Sequence, residues 1–327
     1  MSLTEDQIRG RKRVQVQVDN RNEREMNLLA ALKFVGEDHP VGPMDSYFPA
    51  KKLSIPVDKN KALKMGMISP QDSTVLDKIS FNLGGRSSLI KGDVAVLDIV
   101  ANNIWERPIY FAVTCRQESM VGLGDYTQLE GLGLRIVPFK SKGERNVFGM
   151  IGNGRVNGNA VYKNVMEKFR WGNFDQQKLF VDRSYLPSVQ SHRLVILRAC
   201  QALLKSGQKK KAVDLADKFF QSFPNMNFTY DAQIVPMIRV FIGGGDMEKA
   251  KKHLMILAQE TEEHLHFYSN LPIDELQMGF ETDYAYSLRS KDDLIRMAQQ
   301  MKDKALEDEL TERFAPYDIR QLRDRDK

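Results

Sequence analysis

Residues 102–114, NNIWERPIYFAVT, gather Trp105, Arg107 and Tyr110 with neither a nucleophile nor a metal ligand beside them. An indole, a guanidinium and a phenol can stack on and hydrogen-bond a polar ligand, and they can equally fix a corner of the fold. Just downstream, Asp125-Tyr126 and Gln128-x-Glu130 set carboxylates and an amide beside an aromatic ring. That combination holds a sugar or a peptide by stacking plus directional hydrogen bonds. The structural expectation for the same residues is that Tyr126 and Leu129 pack inward while Asp125 and Glu130 cap and solvate. A third group, Lys209, Lys210 and Lys211, opens a helical run where an anion or an acidic partner could sit. These are the candidate binding residues. No catalytic residue, metal ligand or cofactor is assigned.

The remaining motifs carry less. GLGDYTQLEGLG has Gly122 and Gly124 but no third glycine at dinucleotide spacing, and GNGRVNG (Gly152, Gly154, Gly158) opens no helix with an apolar face. There is no GxxxxGK[ST] phosphate loop and no Cys-x-x-Cys. His264 and His266 are two apart in a helical run, so their side chains point away from one another and cannot share a metal. Cys115 and Cys200 are too few for a disulfide framework and leave the redox compartment open.

To position such residues the chain has 327 positions, enough for two domains, and a globular composition of 42% hydrophobic and 28% charged residues. The net charge of +5 is modest; basic residues crowd the start, where Arg9, Arg11, Lys12, Arg13, Arg21 and Arg24 outnumber Asp19 and Glu23. No aromatic residues interleave with these cations, so nucleic acid is not an expected partner. No window approaches the ~18 apolar residues of a membrane span, and there is no signal peptide. Met1-Ser2-Leu3 reads as an added leader on an excised fragment.

The first half alternates strands with helices. VQVQV (14–18) has period two. Asn20 is expected to cap a helix in NEREMNLLAALKFV on Met26, Leu29, Ala30 and Phe34, stopped by Gly36 and Pro40. KKLSIPVD reads as an edge strand because of Pro56, DKNKALKMG as a short helix, and KISFNLGG as a strand. A buried helix, SSLIKGDVAVLDIVANN, leads to a strand that Pro108 begins and IYFAVT carries into the sheet interior. A glycine-punctuated connection and the strand LRIVPF follow. The fold class is α/β, a mixed or parallel sheet with crossover helices, over residues 4–158.

Residues 159–186 form a connecting segment with an aromatic-rich helix at YKNVMEKFRWGNFDQ. Residues 187–327 are all-α. Gly207 with Ala212, and Gly245 with Ala250, repeat one offset of 5 at a separation of 38, near the ~34-residue tetratricopeptide period. The glycine ends one helix, and the alanine lets the next approach it. Ser191–Phe223 and Thr229–His266 are therefore expected to be antiparallel helix pairs turning at Gly207 and Gly243–Gly245, with Lys209–Lys211 solvated. Asp283–Phe314 supplies a third helical stretch, enough for a small solenoid.

Taken together, KKLSIPVDK, DVAVLDIVANNIWERPIYFAVT, LGDYTQLEGLGLRIVP and VMEKFRWGNFD resemble the C-terminal part of a bacterial family of large membrane proteins. Those proteins carry a domain of unknown function and a multi-span region similar to protein O-mannosyltransferases. The resemblance runs from about Lys51 to Pro272. It implies a membrane-anchored parent of the lipid-linked-sugar glycosyltransferase type, with this portion on the extracytoplasmic, periplasmic side. The acidic catalytic residues of such enzymes lie in the membrane region, so none is carried onto this chain. The partners implied are the parent's own membrane domain and a protein or peptide on the helical repeats. The alternative is a free-standing α/β enzyme, or a sugar- or nucleotide-binding protein, with a site near Asp125, Tyr126 and Glu130.

Overall fold

In the computed structural model, which describes residues 15–37, 47–141 and 155–317, the chain divides into two units, residues 1–157 and 158–327. The first unit is mixed α/β, and its described strands form three small sheets. In the first, β1 (Gln15–Val18) runs parallel to β3 (Tyr47–Phe48) and antiparallel to β6 (Ser88–Ile90). In the second, β4 (Lys52–Pro56) lies between the parallel β2 (Glu25–Asn27) and the antiparallel β5 (Lys78–Asn82). In the third, β9 (Gly133–Ile136) is antiparallel to both β7 (Tyr110–Ala112) and β8 (Thr127–Leu129). The short β10 (Arg155–Val156) joins β8 in parallel.

The connection from β2 to β4 contains α1 (Leu28–Gly36), and Asn27, not Asn20, caps it. The Asn27 Oδ1 accepts from the backbone N–H groups of Leu29 and Ala30 at 2.9 and 3.2 Å. Residues 25–27 are taken by pairing with β4, so the helix can begin only after them. Its buried face is accordingly Leu28, Ala31, Leu32 and Val35, one step from the Met26, Leu29, Ala30 and Phe34 face that a start at Asn20 implies. The helix ends at Gly36 as expected; Pro40 lies outside the described residues.

Pro56 also departs from expectation, because β4 is a central strand. Its pairing with β2 stops at Ser54, so on that side Pro56 has no ladder to serve and its missing N–H costs nothing. The expected short helix is α2 (Lys59–Lys64), capped by Asp58, and the buried helix is α3 (Lys91–Asn103), with the SLI before it in β6. Pro108 precedes β7 instead of opening it. Pairing starts at the Ile109 carbonyl, which accepts from the Ile136 N–H at 3.0 Å, and β7 is an edge strand, not an interior one. The glycine-punctuated connection hides β8, whose three residues are all buried.

Among its described residues the second unit packs about seven helices. α4 (Gly158–Lys163) passes into a π turn ending at Lys168, so the expected aromatic helix is short. Phe169, Trp171 and Phe174 lie beyond it and pack through their rings, Trp171 on His192 and Phe223, Phe174 on Phe228. Three helix hairpins follow: α5 (Leu186–Lys205) with α6 (Lys209–Ser222), α7 (Val235–Gly244) with α8 (Met247–Ser269), and α9 (Glu281–Met301) with α10 (Lys304–Phe314). Gly207 and Gly245 turn the first two at φ +76° and +90°, backbone that other residues enter only with strain. Gly243 and Gly244 stay helical, so that turn is shorter than expected. A Cβ on Gly244 would stand 2.4 Å from Val213 Cγ2, which is why bulk is excluded there. Among the described residues no helix is long and apolar enough to cross a membrane.

Ala212 and Ala250 are fully buried at the hairpin contacts. Replacing Ala212 with Leu is expected to lower stability by about 1–3 kcal/mol through overpacking. Urea unfolding measures it, with the exposed Lys209→Leu as control; equal midpoints for the two variants would show that the contact is not tight.

Candidate functional site

The register of the third sheet builds a polar cluster from the residues upward. Arg135 on β9 stands opposite Tyr110 on β7 and Gln128 on β8, so the three side chains form one row across the strands. Glu130 is two residues beyond Gln128, on the same face, where the β8–β9 hairpin turns. Gly131 takes φ +113° in that turn, and the Glu130 N–H donates to the Gly133 carbonyl at 3.0 Å. The Glu130 carboxylate accepts from the Tyr110 hydroxyl and from the Gln128 amide, both at 2.8 Å, and lies 3.7 Å from the Arg135 guanidinium.

The ion pair is deeply buried, with side-chain exposures of 7% for Arg135 and 8% for Glu130. Arg135 also donates to the Met65 carbonyl at 2.9 Å, while its Nε has no hydrogen-bond partner among the described residues. Partial burial, with the Glu130 carboxylate next to it, pushes the Tyr110 hydroxyl up to about 12. It stays a protonated donor at neutral pH. Chemically the cluster is a pin: its carboxylate oxygens are committed to three side chains of the same sheet.

Trp105 belongs to a different place. Its indole Nε1 donates to the Pro56 carbonyl at 2.8 Å, tying the end of α3 to the end of β4. With Leu28, Ile55, Val57 and Ala101 it lines a cleft of about 350 Å³. Asn27 and Asp58 stand at the same cleft, but both side chains already accept helix N–H groups of α1 and α2. The cleft thus offers an indole and aliphatic walls, suited to apolar contact. Arg107 is exposed, and its backbone N–H closes the corner on the Asn103 carbonyl at 3.1 Å.

Tyr126 and Leu129 are buried as expected, and the Tyr126 hydroxyl donates to the Ser80 carbonyl. Asp125 is half-buried, its carbonyl accepting from Ser141 at 2.8 Å. Glu130 is the correction: it is buried and paired where solvation was expected, because the hairpin turn folds it back over Arg135. Lys209 and Lys210 are solvated, Lys210 meeting Asp214 at 3.2 Å. Lys211 is not. It donates to Asn159 at 2.6 Å and Gln208 at 3.0 Å and lies over the Tyr162 ring at 5.6 Å, since its position on α6 faces α4.

Sequence reasoning missed Arg135, though a buried-strand arginine five residues past Glu130 across a Gly-containing turn was a usable signal. His253 was missed too. It stacks on Phe220 at 3.7 Å and lies 5.6 Å from Phe241, which is itself 5.6 Å from Phe220, and it meets the Tyr230 hydroxyl at 3.1 Å. Nothing short of the fold could bring those four rings together.

No curated protein and no solved structure matches the chain. Residues 1–159, which take in the whole α/β unit with its Glu130–Arg135 pin and Trp105 corner, match the family model described as TMEM260-associated domain 2.

Proposed function

We propose that the chain is a non-catalytic accessory module of a membrane-anchored, glycosyltransferase-like protein. In this reading it stands on the extracytoplasmic side and engages an acceptor protein, or its parent's own membrane part, through the helical hairpins. The observation that carries it is the match of the α/β unit to a domain associated with TMEM260, a membrane-protein family. The resemblance in the Trp105–Tyr110 and Asp125–Gly131 stretches supports it. So do the stacked hairpins, an architecture that commonly presents binding surfaces for peptides. The alternative of an enzyme or sugar site at Asp125, Tyr126 and Glu130 finds less support, because the Tyr126 hydroxyl is spent on the Ser80 carbonyl of β5 and the Glu130 carboxylate on Tyr110 and Gln128.

The test is sidedness. In cells making the full-length protein with Cys115 and Cys200 replaced, Lys304→Cys, at a side chain 74% exposed, is expected to react with a membrane-impermeant maleimide before permeabilisation. Labelling only after permeabilisation, or recovery of the protein away from membranes, would sink the proposal.

A further inference from the structure

The second unit leaves a broad apolar face uncovered where α8 ends and α9 begins. Phe267, Ile273, Met278, Phe280 and Tyr286 are exposed at 53%, 55%, 84%, 40% and 55%. Phe267 and Phe280 meet in one aromatic cluster with Tyr268 and Tyr284, and Ile273 and Met278 lie on the short segment that joins the two helices. Phe267 and Tyr268 each lie about 6 Å from Phe280, at 6.1 and 6.0 Å, and Tyr268 is 6.1 Å from Tyr284. Between the helices, Leu276–Phe280 winds as a π turn, a geometry that recurs at functional sites, and Gly279 within it has open space around it. Exposed apolar area of this kind marks binding surfaces more often than chance.

Charge says what covers it. Residues 253–288 contain seven carboxylates and no Lys or Arg, in a chain whose net charge is +5. Glu262 is neutralised by Arg313 at 2.6 Å. Asp274, Glu275, Glu281 and Asp283, which frame Met278 and Phe280, meet no cation among the described residues and are exposed. A second copy of this face would bring like charge to like, and an anionic lipid surface would be repelled. Stacking of a flat sugar is poorly served too, because Phe267 meets Phe280 and Tyr268 edge-on at 88° and 69°. An unbranched Met at the most exposed point can adapt to varied apolar side chains.

We propose that this face docks a protein segment in which apolar anchors alternate with lysine or arginine, an amphipathic cationic helix being its plainest form. The inference rests on the protein-interaction reading above and narrows it to one face and one partner chemistry. Met278 and Phe280 take the apolar anchors; Asp274, Glu275 and Glu281 set orientation and speed encounter.

The experiment uses the purified full chain and a fluorescent amphipathic leucine–lysine peptide, followed by anisotropy. Saturable binding is expected, weakened roughly tenfold or more by Asp274→Lys/Glu275→Lys, and again by Met278→Ser/Phe280→Ser, at unchanged thermal midpoints. A leucine–glutamate peptide and anionic vesicles are expected not to bind. Absence of peptide binding, equal binding of the glutamate peptide, binding to vesicles alone, or insensitivity to both double variants each overturns the assignment. Concentration-dependent dimerisation lost in Met278→Ser/Phe280→Ser would overturn it in favour of a second copy. Maleimide labelling from outside the cell together with failed peptide binding removes this face and leaves the wider reading standing; the opposite pair of results removes the wider reading instead.

Discussion

Glu130→Ala is expected to lower the stability of the α/β unit by about 3–5 kcal/mol. The carboxylate is 8% exposed, and its removal strands a guanidinium that is 7% exposed. Arg135 would keep only the Met65 carbonyl, its Nε already being without a partner, and the buried Gln128 amide would lose its acceptor. Tyr110, half-exposed, can turn its hydroxyl to water, so its share of the loss is small. The double variant Glu130→Ala/Arg135→Met is expected to recover much of the loss, since an apolar side chain of similar length leaves no uncompensated charge. Of the two tryptophans, Trp105 lies in this unit and Trp171 in the other. Urea unfolding followed by fluorescence in a Trp171→Phe background therefore reports this unit alone. The Tyr110 hydroxyl, freed of its anionic neighbour, is expected to fall from about 12 toward the ordinary value in Glu130→Gln. Equal losses in the single and double variants would mean that the pair does not act as a unit.

Two kinds of signal made most of the fold legible. The helical period and the Gly–Ala offset placed the first two hairpins, because both follow from local geometry: a positive-φ turn and a small residue at a helix contact. The third turn has no glycine. Lys302 takes φ +58° there, and Asp303 caps α10 as Asp246 caps α8, so only the Asp pattern could have marked it. In the α/β unit the elements were legible but their registers were not. Asn20 and Asn27 are equally good caps by type, and only the pairing of residues 25–27 with β4 decides between them. Likewise Pro56 and Pro108 signalled strand boundaries, while edge or centre was fixed by partners far away in sequence. The candidate residues near Trp105 and Glu130 fall into two separate places in the α/β unit. Their environment separates them: one group ties a helix to a strand, the other pins a hairpin.

The pH response of the helical unit is expected to hinge on His253. His253 is 8% exposed beside Phe220 and Phe241, and burial, with Lys252 and Lys249 nearby, lowers its pKa from 6.5 to about 4. The folded chain thus holds a neutral ring, while the unfolded chain takes up a proton below pH ~6.5. Stability from this group is full above that value and is lost as pH falls through the folded pKa, because the unfolded state binds more protons across the interval. Between about pH 6.5 and about pH 4 the loss comes to about 2–3 kcal/mol, since the extra proton on the unfolded chain is worth about 1.4 kcal/mol for each tenfold rise in proton concentration. Carboxylates titrate at the lower end of the same window, so the difference between variants isolates the histidine. His253→Phe keeps the stacked ring and loses only the contact with the Tyr230 hydroxyl at 3.1 Å. Followed by Trp171 fluorescence in a Trp105→Phe background, it is expected to be less stable than the parent near pH 7 by about 1 kcal/mol, through the orphaned phenol. Near pH 4.5 the order reverses, the variant having no imidazole to protonate on unfolding. Parallel pH profiles for the two chains would show that the His253 ring titrates alike in the folded and unfolded states.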